Sequence, residues 1–346
     1  MKIGNFNLNN NKVFIIAELS ANHNGSLQTA IETIKAAKRA GADCIKLQTY
    51  TAETITIDSD NEDFKKIHNG TLWEGNTLYD LYKEAYTPWD WHKQLFQVAA
   101  EEGLICFSSP FDRTAVDFLE SLNTPAYKIA SFEITDIPLI EYVASKRKPI
   151  ILSTGIATTE DIELALDACR RMNNNDIALL KCTSSYPAPI EEANMCMVDD
   201  LAKKYDVISG LSDHTIGSTV PVVATCFGAK IIEKHFILDK SIGGADASFS
   251  MDEKDFTRMV KAVREAESAI GKIDYNLTEK QTKGKDCSRS LYIVNDVKVG
   301  DEITKENVRS IRPGFGLHPK YLSEIIGKEF IGNFKKGTRL SLELLK

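Results

Sequence analysis

Short apolar runs that turn polar at their ends alternate along most of the chain with segments whose apolar residues recur at helical spacing. Val13 to Ala17 is the first such run, and it leads into Glu18-Leu19-Ser20-Ala21-Asn22-His23-Asn24-Gly25. Ser26 is placed to cap a helix whose buried stripe is Leu27, Ala30, Ile31, Ile34 and Ala37. A strand over 43–48 follows, and the two-residue period puts Lys46 and Gln48 on one face near its exit. Residues 51–85 form a longer excursion with a turn at Asn69-Gly70 and Trp73 in polar surroundings, an insertion of the kind that could serve as a lid over a strand end.

The alternation then resumes. Pro88 opens a helix to Glu102. Strands over 104–109, to Ser131, over 149–153, 177–182 and 207–211 alternate with helices over 112–122, 138–145, 159–172 capped by Thr159, 194–204 and one from Thr219. The strand from Lys230 to Leu238 closes the series with Glu233 and His235 on one face, and a last helix carries Phe256, Met259, Val260, Val263 and Ile270. About eight strand–helix units in roughly 270 residues give the rhythm of a TIM (β/α)8 barrel, an α/β fold. An open doubly wound sheet is the alternative, but neither Gly-x-Gly-x-x-Gly after the first strand nor a Gly-x-x-x-x-Gly-Lys-Ser/Thr run is present.

In a barrel the polar exits converge on one mouth, which would gather Glu18, Lys46, Ser109, Lys128, Ser131, Ser153, Ser184, Ser212, His214, Glu233 and His235. Two lysines among hydroxyls suit a phosphate or carboxylate; the plainer reading pairs Lys46 and Lys128 with Glu18 and Glu133. His214 and His235 read as half of a metal site, with hydrogen-bonded core histidines as the alternative, and the other four histidines read as loop or helix-surface residues. Glu18, Glu133, Glu233 and Asp246 outnumber the cations they could balance, which leaves a carboxylate for acid–base work. After the barrel segment 1–271, polar residues 272–288 read as a linker and 289–346 as a small, mostly β domain. Its exposed Arg312 suits a carboxylate or amide, or is simply solvated.

Composition removes several function classes. The 346 residues are 43% hydrophobic, enough for a full core, and carry a formal charge of −7, which gives no basic field for nucleic acid or an anionic membrane. Seven scattered cysteines without a Cys-x-x-Cys pair read as reduced thiols, and no charged segment followed by an apolar one opens the chain. The expectation is a soluble cytoplasmic protein.

Several stretches resemble the sialic acid synthase family: Glu18 to Gly25, Lys46-Leu47-Gln48-Thr49, Tyr127-Lys128-Ile129-Ala130-Ser131, Leu152-Ser153-Thr154-Gly155, Leu211-Ser212-Asp213-His214 and Glu233-Lys234-His235-Phe236. Within that family, Ser131-Phe132-Glu133, Arg289-Ser290-Leu291-Tyr292 and Arg312 to Pro319 are most similar to the branch that makes pseudaminic acid from 2,4-diacetamido-2,4,6-trideoxy-L-altrose. Gly244-Ala245-Asp246-Ala247 and Ser184 depart from the N-acetylneuraminate branch, while the retained Asp246 is a sugar-contacting position.

The resemblance implies a TIM barrel with a C-terminal antifreeze-like (SAF) domain, condensing phosphoenolpyruvate with an acetamido sugar and water. A divalent cation (manganese, magnesium or cobalt) would sit on His214 and His235. Lys46 would hold the carboxylate of phosphoenolpyruvate, Lys128, Ser131, Ser153, Ser184 and Ser212 its phosphate, and Tyr186 and Asp246 the sugar. Glu18 or Glu133 would assist water, and Arg312 would reach the sugar across a domain-swapped homodimer. Other readings are an N-acetylneuraminate or legionaminic acid synthase, a Schiff-base aldolase using Lys46 or Lys128, and a non-catalytic sugar-binding protein.

Overall fold

The computed structural model describes residues 1–64 and 77–346. It divides into two compact units, Met1–Gly271 and Lys272–Lys346. The expected Asn69-Gly70 turn and Trp73 lie outside the described residues.

A short hairpin of β1 (Lys2–Ile3) and β2 (Phe6–Asn7) opens the first unit; the hydrophobic pattern had not signalled it. Eight parallel strands then close into a barrel: β3 (Phe14–Glu18), β4 (Cys44–Thr49), β5 (Ile105–Pro110), β6 (Tyr127–Ile129), β7 (Ile150–Ser153), β8 (Ile177–Cys182), β9 (Ile208–Asp213) and β10 (Ile231–His235). β10 pairs with both β9 and β3, which seals the ring. Helices wrap the outside, and their starts follow from the sequence. Ser26 and Asp112 accept backbone N–H bonds at two helix starts, and Thr158, one residue before the expected cap, does so for Thr159–Arg171.

Strand parity decides what faces the barrel axis. Phe14, Ile16, Cys44, Phe107, Ile151, Ala178, Leu180 and Ile231 form an apolar interior layer, joined by Ile3 and Leu8 from the N-terminal segment. Ile15, Ala17, Ile45, Leu47, Leu211 and Ile232, of opposite parity, pack in the surrounding core with the helices. Gly210 belongs to this close packing, since a Cβ there would lie 2.4 Å from the Ile231 carbonyl oxygen. Stepping two residues from Ile16, Cys44, Ala126, Ile151, Leu180, Gly210 and Ile231 reaches Glu18, Lys46, Lys128, Ser153, Cys182, Ser212 and Glu233. A polar layer therefore lies above an apolar one at the carboxyl ends of the strands.

The second unit has its own core of Leu291, Ile293, Val297, Ile303, Val308, Ile325, Phe330 and Leu340. Its sheet is small: β11 (Ser290–Ile293) pairs antiparallel with β12 (Val308–Ile311), and isolated bridges supplement it. A short helix, Glu279–Gly284, forms within 272–288.

Candidate active site

The centre of the polar layer is a buried ion cluster. Lys46 Nζ lies 2.5 Å from Glu18 Oε2 and 3.5 Å from Glu233 Oε1, and Lys128 Nζ lies 3.5 Å from that same Glu233 oxygen. Gln48 donates to Glu18 Oε1 at 3.1 Å, Lys46 to Ser109 Oγ at 3.3 Å, and Ser212 to Glu233 Oε1 at 3.3 Å. Lys128 is thus paired with Glu233 and not with the expected Glu133, because Glu233 leaves β10 at the inward-facing parity.

Burial pushes the Glu233 carboxyl up, but Lys128 and Lys46, then His235 and His214, more than reverse this and hold it at about 2. Glu18 moves upward, driven by burial and by the Glu233 charge against the pull of Lys46. Burial pushes Lys128 down, against the attraction of Glu233. Two ammonium groups therefore share one firmly ionised carboxylate, with Glu18 as a second partner of Lys46, and both lysines are positioned to meet an anion.

Beside this cluster is a cradle. Ser131 Oγ accepts the Gly155 N–H at 2.6 Å. A Cβ on Gly155 would fall 2.1 Å from Ser184 Oγ, 2.4 Å from Ser131 Oγ and 3.1 Å from Cys182 Sγ, so glycine keeps a space that any side chain would fill. Ser153 Oγ is buried and has no hydrogen-bond partner among the described residues. Donors left open beside two lysines match the needs of a phosphate.

The imidazoles form the third part. The His214 and His235 rings stand 5.3 Å apart, packed by Phe249 and, on the His214 side, by Tyr186 at 4.4 Å. His214 Nδ1 meets the Thr183 carbonyl oxygen at 3.0 Å, and His235 Nδ1 lies 3.5 Å from Asp246 Oδ2. The carbonyl on His214 Nδ1 leaves that ring's Nε2 lone pair for a ligand, whereas His235 Nδ1 faces Asp246 but is buried without a hydrogen-bond partner among the described residues. Among the described residues no group of three or more His, Cys, Asp or Glu side chains forms a metal cage, so these two imidazoles would hold a cation that takes its remaining oxygens from water or substrate.

Glu133 stands apart from the ion cluster. Its stem is partly exposed, yet its Oε2 is buried without a hydrogen-bond partner among the described residues. Burial raises the carboxyl to about 7, against the pull of Lys128.

Two other histidines are more buried than their sequence context suggested. Thr87 and the Gly25 N–H engage both ring nitrogens of His23, and Thr49 and the Pro88 carbonyl engage those of His92. Neither ring has a nitrogen to spare. Asp246 lies beside His235, while Arg312 is exposed on the loop after β12 in the second unit. Sequence reading missed Cys182, Gly155 and Phe249. Cys182 was findable from parity, as the inward residue after Ala178 and Leu180.

The sequence matches the NeuB family over residues 33–275 and the SAF domain over residues 288–346. It is 50% identical over 340 residues to a pseudaminic acid synthase of Campylobacter jejuni subsp. jejuni serotype O:2, with 98% of each chain covered. It is 48% identical over 330 residues to the pseudaminic acid synthase of Helicobacter pylori, covering 95% of this chain and 96% of that one. An N,N'-diacetyllegionaminic acid synthase of Legionella pneumophila is 36% identical over 335 residues, covering 95% of this chain and 94% of that one. The N-acetylneuraminic acid synthetase structure from Leptospira borgpetersenii serovar Hardjo-bovis superposes with a TM-score of 0.72 at 30% identity, covering 82% of this chain and 94% of that one. With a family match across most of the barrel and relatives spanning nearly its whole length, this chain belongs to the NeuB family, the sialic acid synthases.

Proposed function

We propose that this protein is a pseudaminic acid synthase, condensing phosphoenolpyruvate with 2,4-diacetamido-2,4,6-trideoxy-L-altrose and water to give pseudaminic acid and phosphate. The observation that carries the reading is 50% identity over 98% of the chain to a synthase of that name. Geometry adds support, since two buried lysines, an open serine cradle and an imidazole pair meet at one barrel mouth.

In this reading Lys46 holds the carboxylate of phosphoenolpyruvate, and Lys128 holds its phosphate with Ser131, Ser153, Ser184 and Ser212. Tyr186, Asp246 and Arg312 face the sugar. His214 and His235 would hold a divalent cation (manganese, magnesium or cobalt), which would supply Lewis acidity toward the sugar aldehyde oxygen. C3 of phosphoenolpyruvate bonds to the aldehyde carbon, the aldehyde oxygen gains a proton, and positive charge develops at C2. Water adds at C2, losing its proton to a carboxylate, and the tetrahedral carbon expels phosphate by cleavage of the C–O bond.

Of the three carboxylates, Glu233 is held ionised between ammonium groups and is a weak base. Glu18 is tied to Lys46 and Gln48. Glu133, at about 7 and with a buried unpartnered oxygen, is the group best matched to accept the water's proton near neutral pH. Glu233 then serves as the counter-charge that keeps both lysines in place.

We assign the protein to the cytoplasm, as a domain-swapped homodimer in which Arg312 completes the partner's site. No helix among the described residues is long and apolar enough to cross a membrane. Phosphate release measured across a panel of acetamido sugars tests the substrate: the altrose derivative should give the highest kcat/KM. A higher value with N-acetylmannosamine, or with the precursor of legionaminic acid, would move the protein to another branch of the family.

A further inference from the structure

Lys234 is fully buried, yet it takes no part in the chemistry above. It precedes His235 and has the opposite parity, so its side chain leaves the barrel axis on which Glu233 and His235 lie. Its Nζ donates to Asp213 Oδ2 at 2.5 Å and to the Thr215 carbonyl oxygen at 2.5 Å. Asp213 and Thr215 are the residues on either side of His214. Asp213 in turn accepts the Thr215 N–H at 2.9 Å and the Thr215 hydroxyl at 3.2 Å, which closes a small ring of bonds around the His214 backbone. Lys234 and Asp213 are also direct partners in the β9–β10 register.

A buried ion pair recovers its desolvation cost poorly, so contribution to stability is a weak reason for placing one among buried apolar residues such as Leu211 and Val220. Fixing geometry is a better one. We propose that Lys234 is a positioning residue for the imidazole pair: from the residue next to His235 it grips both neighbours of His214, and thereby sets the spacing and orientation of the two rings. This rests on the reading of His214 and His235 as working groups of the synthase, and it names the element that aligns them.

Lys234→Met alone leaves a buried, unpaired Asp213 and is expected to unfold part of the sample. The informative protein is therefore Lys234→Met/Asp213→Asn, which removes both charges while keeping similar volumes. Val263→Ala, a cavity in the same outer core, serves as a control for lost stability. Two quantities are read in the full-length protein: the ring 15N–1H correlations of His214 and His235 without metal, and the Kd for Mn2+ by calorimetry, with His235→Ala as the metal-free reference.

The proposal expects the double variant to fold, to shift both rings' signals, and to bind Mn2+ about ten- to hundredfold more weakly, while Val263→Ala changes neither. A folded double variant with wild-type ring signals and a Kd within about twofold of wild type overturns it. Ring shifts accompanied by no Mn2+ uptake in wild type would support the positioning role and reject the metal reading alone.

Discussion

The Glu233 carboxylate and the Lys128 ammonium approach to 3.5 Å, although their strands stand four places apart in an eight-strand ring and so face each other across the barrel axis. A carboxylate so placed balances the lysines from within. A bound anion then meets ammonium groups that are already oriented, in a site where each charge-assisted contact is strong because water is excluded.

If Lys128 holds phosphate, Lys128→Ala should raise the KM for phosphoenolpyruvate far more than that for the sugar. Losing one charge-assisted contact costs roughly 1.5 to 3 kcal/mol, about ten- to hundredfold. Steady-state kinetics with each substrate varied in turn will show the split. Equal effects on both KM values would remove Lys128 from the phosphate site.

Gly155→Ala places a methyl group where Ser131 and Ser184 leave 2.4 and 2.1 Å. Overpacking of this kind costs about 1 to 3 kcal/mol of stability, measurable by denaturant unfolding. If the cradle receives phosphate, the KM for phosphoenolpyruvate should also rise by at least about tenfold in the folded fraction. An unchanged KM would place the phosphate elsewhere.

Glu133 gives a dependence on pH with a defined sign. Its carboxyl is raised by burial from an ordinary 4.5 to about 7, so between those values the folded chain keeps a proton that the unfolded chain has released. Its contribution to stability therefore falls as pH rises across that window and is constant above it. Glu133→Gln should lose this dependence and gain in relative stability from pH 5 to 8, as read from unfolding midpoints, where about 5 and 8 simply bracket the window. If Glu133 is also the base for water, the wild-type rate should rise with pH to a plateau above about 7, and the variant should lack that limb.

The barrel was legible because parallel strands buried on both faces read as apolar runs, and because the helix starts carry Ser26, Asp112 and a threonine at the third. Their places at strand exits, which a barrel brings to one mouth, carried Glu18, Lys46, Lys128 and Glu233 to one layer. Partner choice was not legible, since whether Lys128 meets Glu133 or Glu233 depends on which side chains cross the axis. The N-terminal hairpin was hidden because its two-residue strands are too short to show a period. Burial of His23 and His92 was hidden because their partners Thr87 and Thr49 are distant in sequence.

The proposed domain swap makes its own prediction. With the helix Glu279–Gly284 kept at about 1.5 Å per residue and the other residues of 274–285 extended at about 3.3 Å each, this segment spans up to roughly 30 Å. Co-refolded heterodimers of inactive His235→Ala and inactive Arg312→Ala chains should regain up to about half of wild-type activity, because one of two composite sites would be intact. No recovery in verified heterodimers would mean that each chain completes its own site.

The condensation itself can be followed through one oxygen atom. Phosphoenolpyruvate labelled with 18O at the oxygen bridging C2 and phosphorus is incubated with Mn2+ and the diacetamido altrose, and both products are weighed by mass spectrometry. The account predicts that the label leaves with phosphate, that a product of the mass of pseudaminic acid forms alongside it, and that His235→Ala releases neither. Label retained in the sugar acid, or turnover that survives chelation and is trapped by borohydride on Lys46 or Lys128, would contradict it.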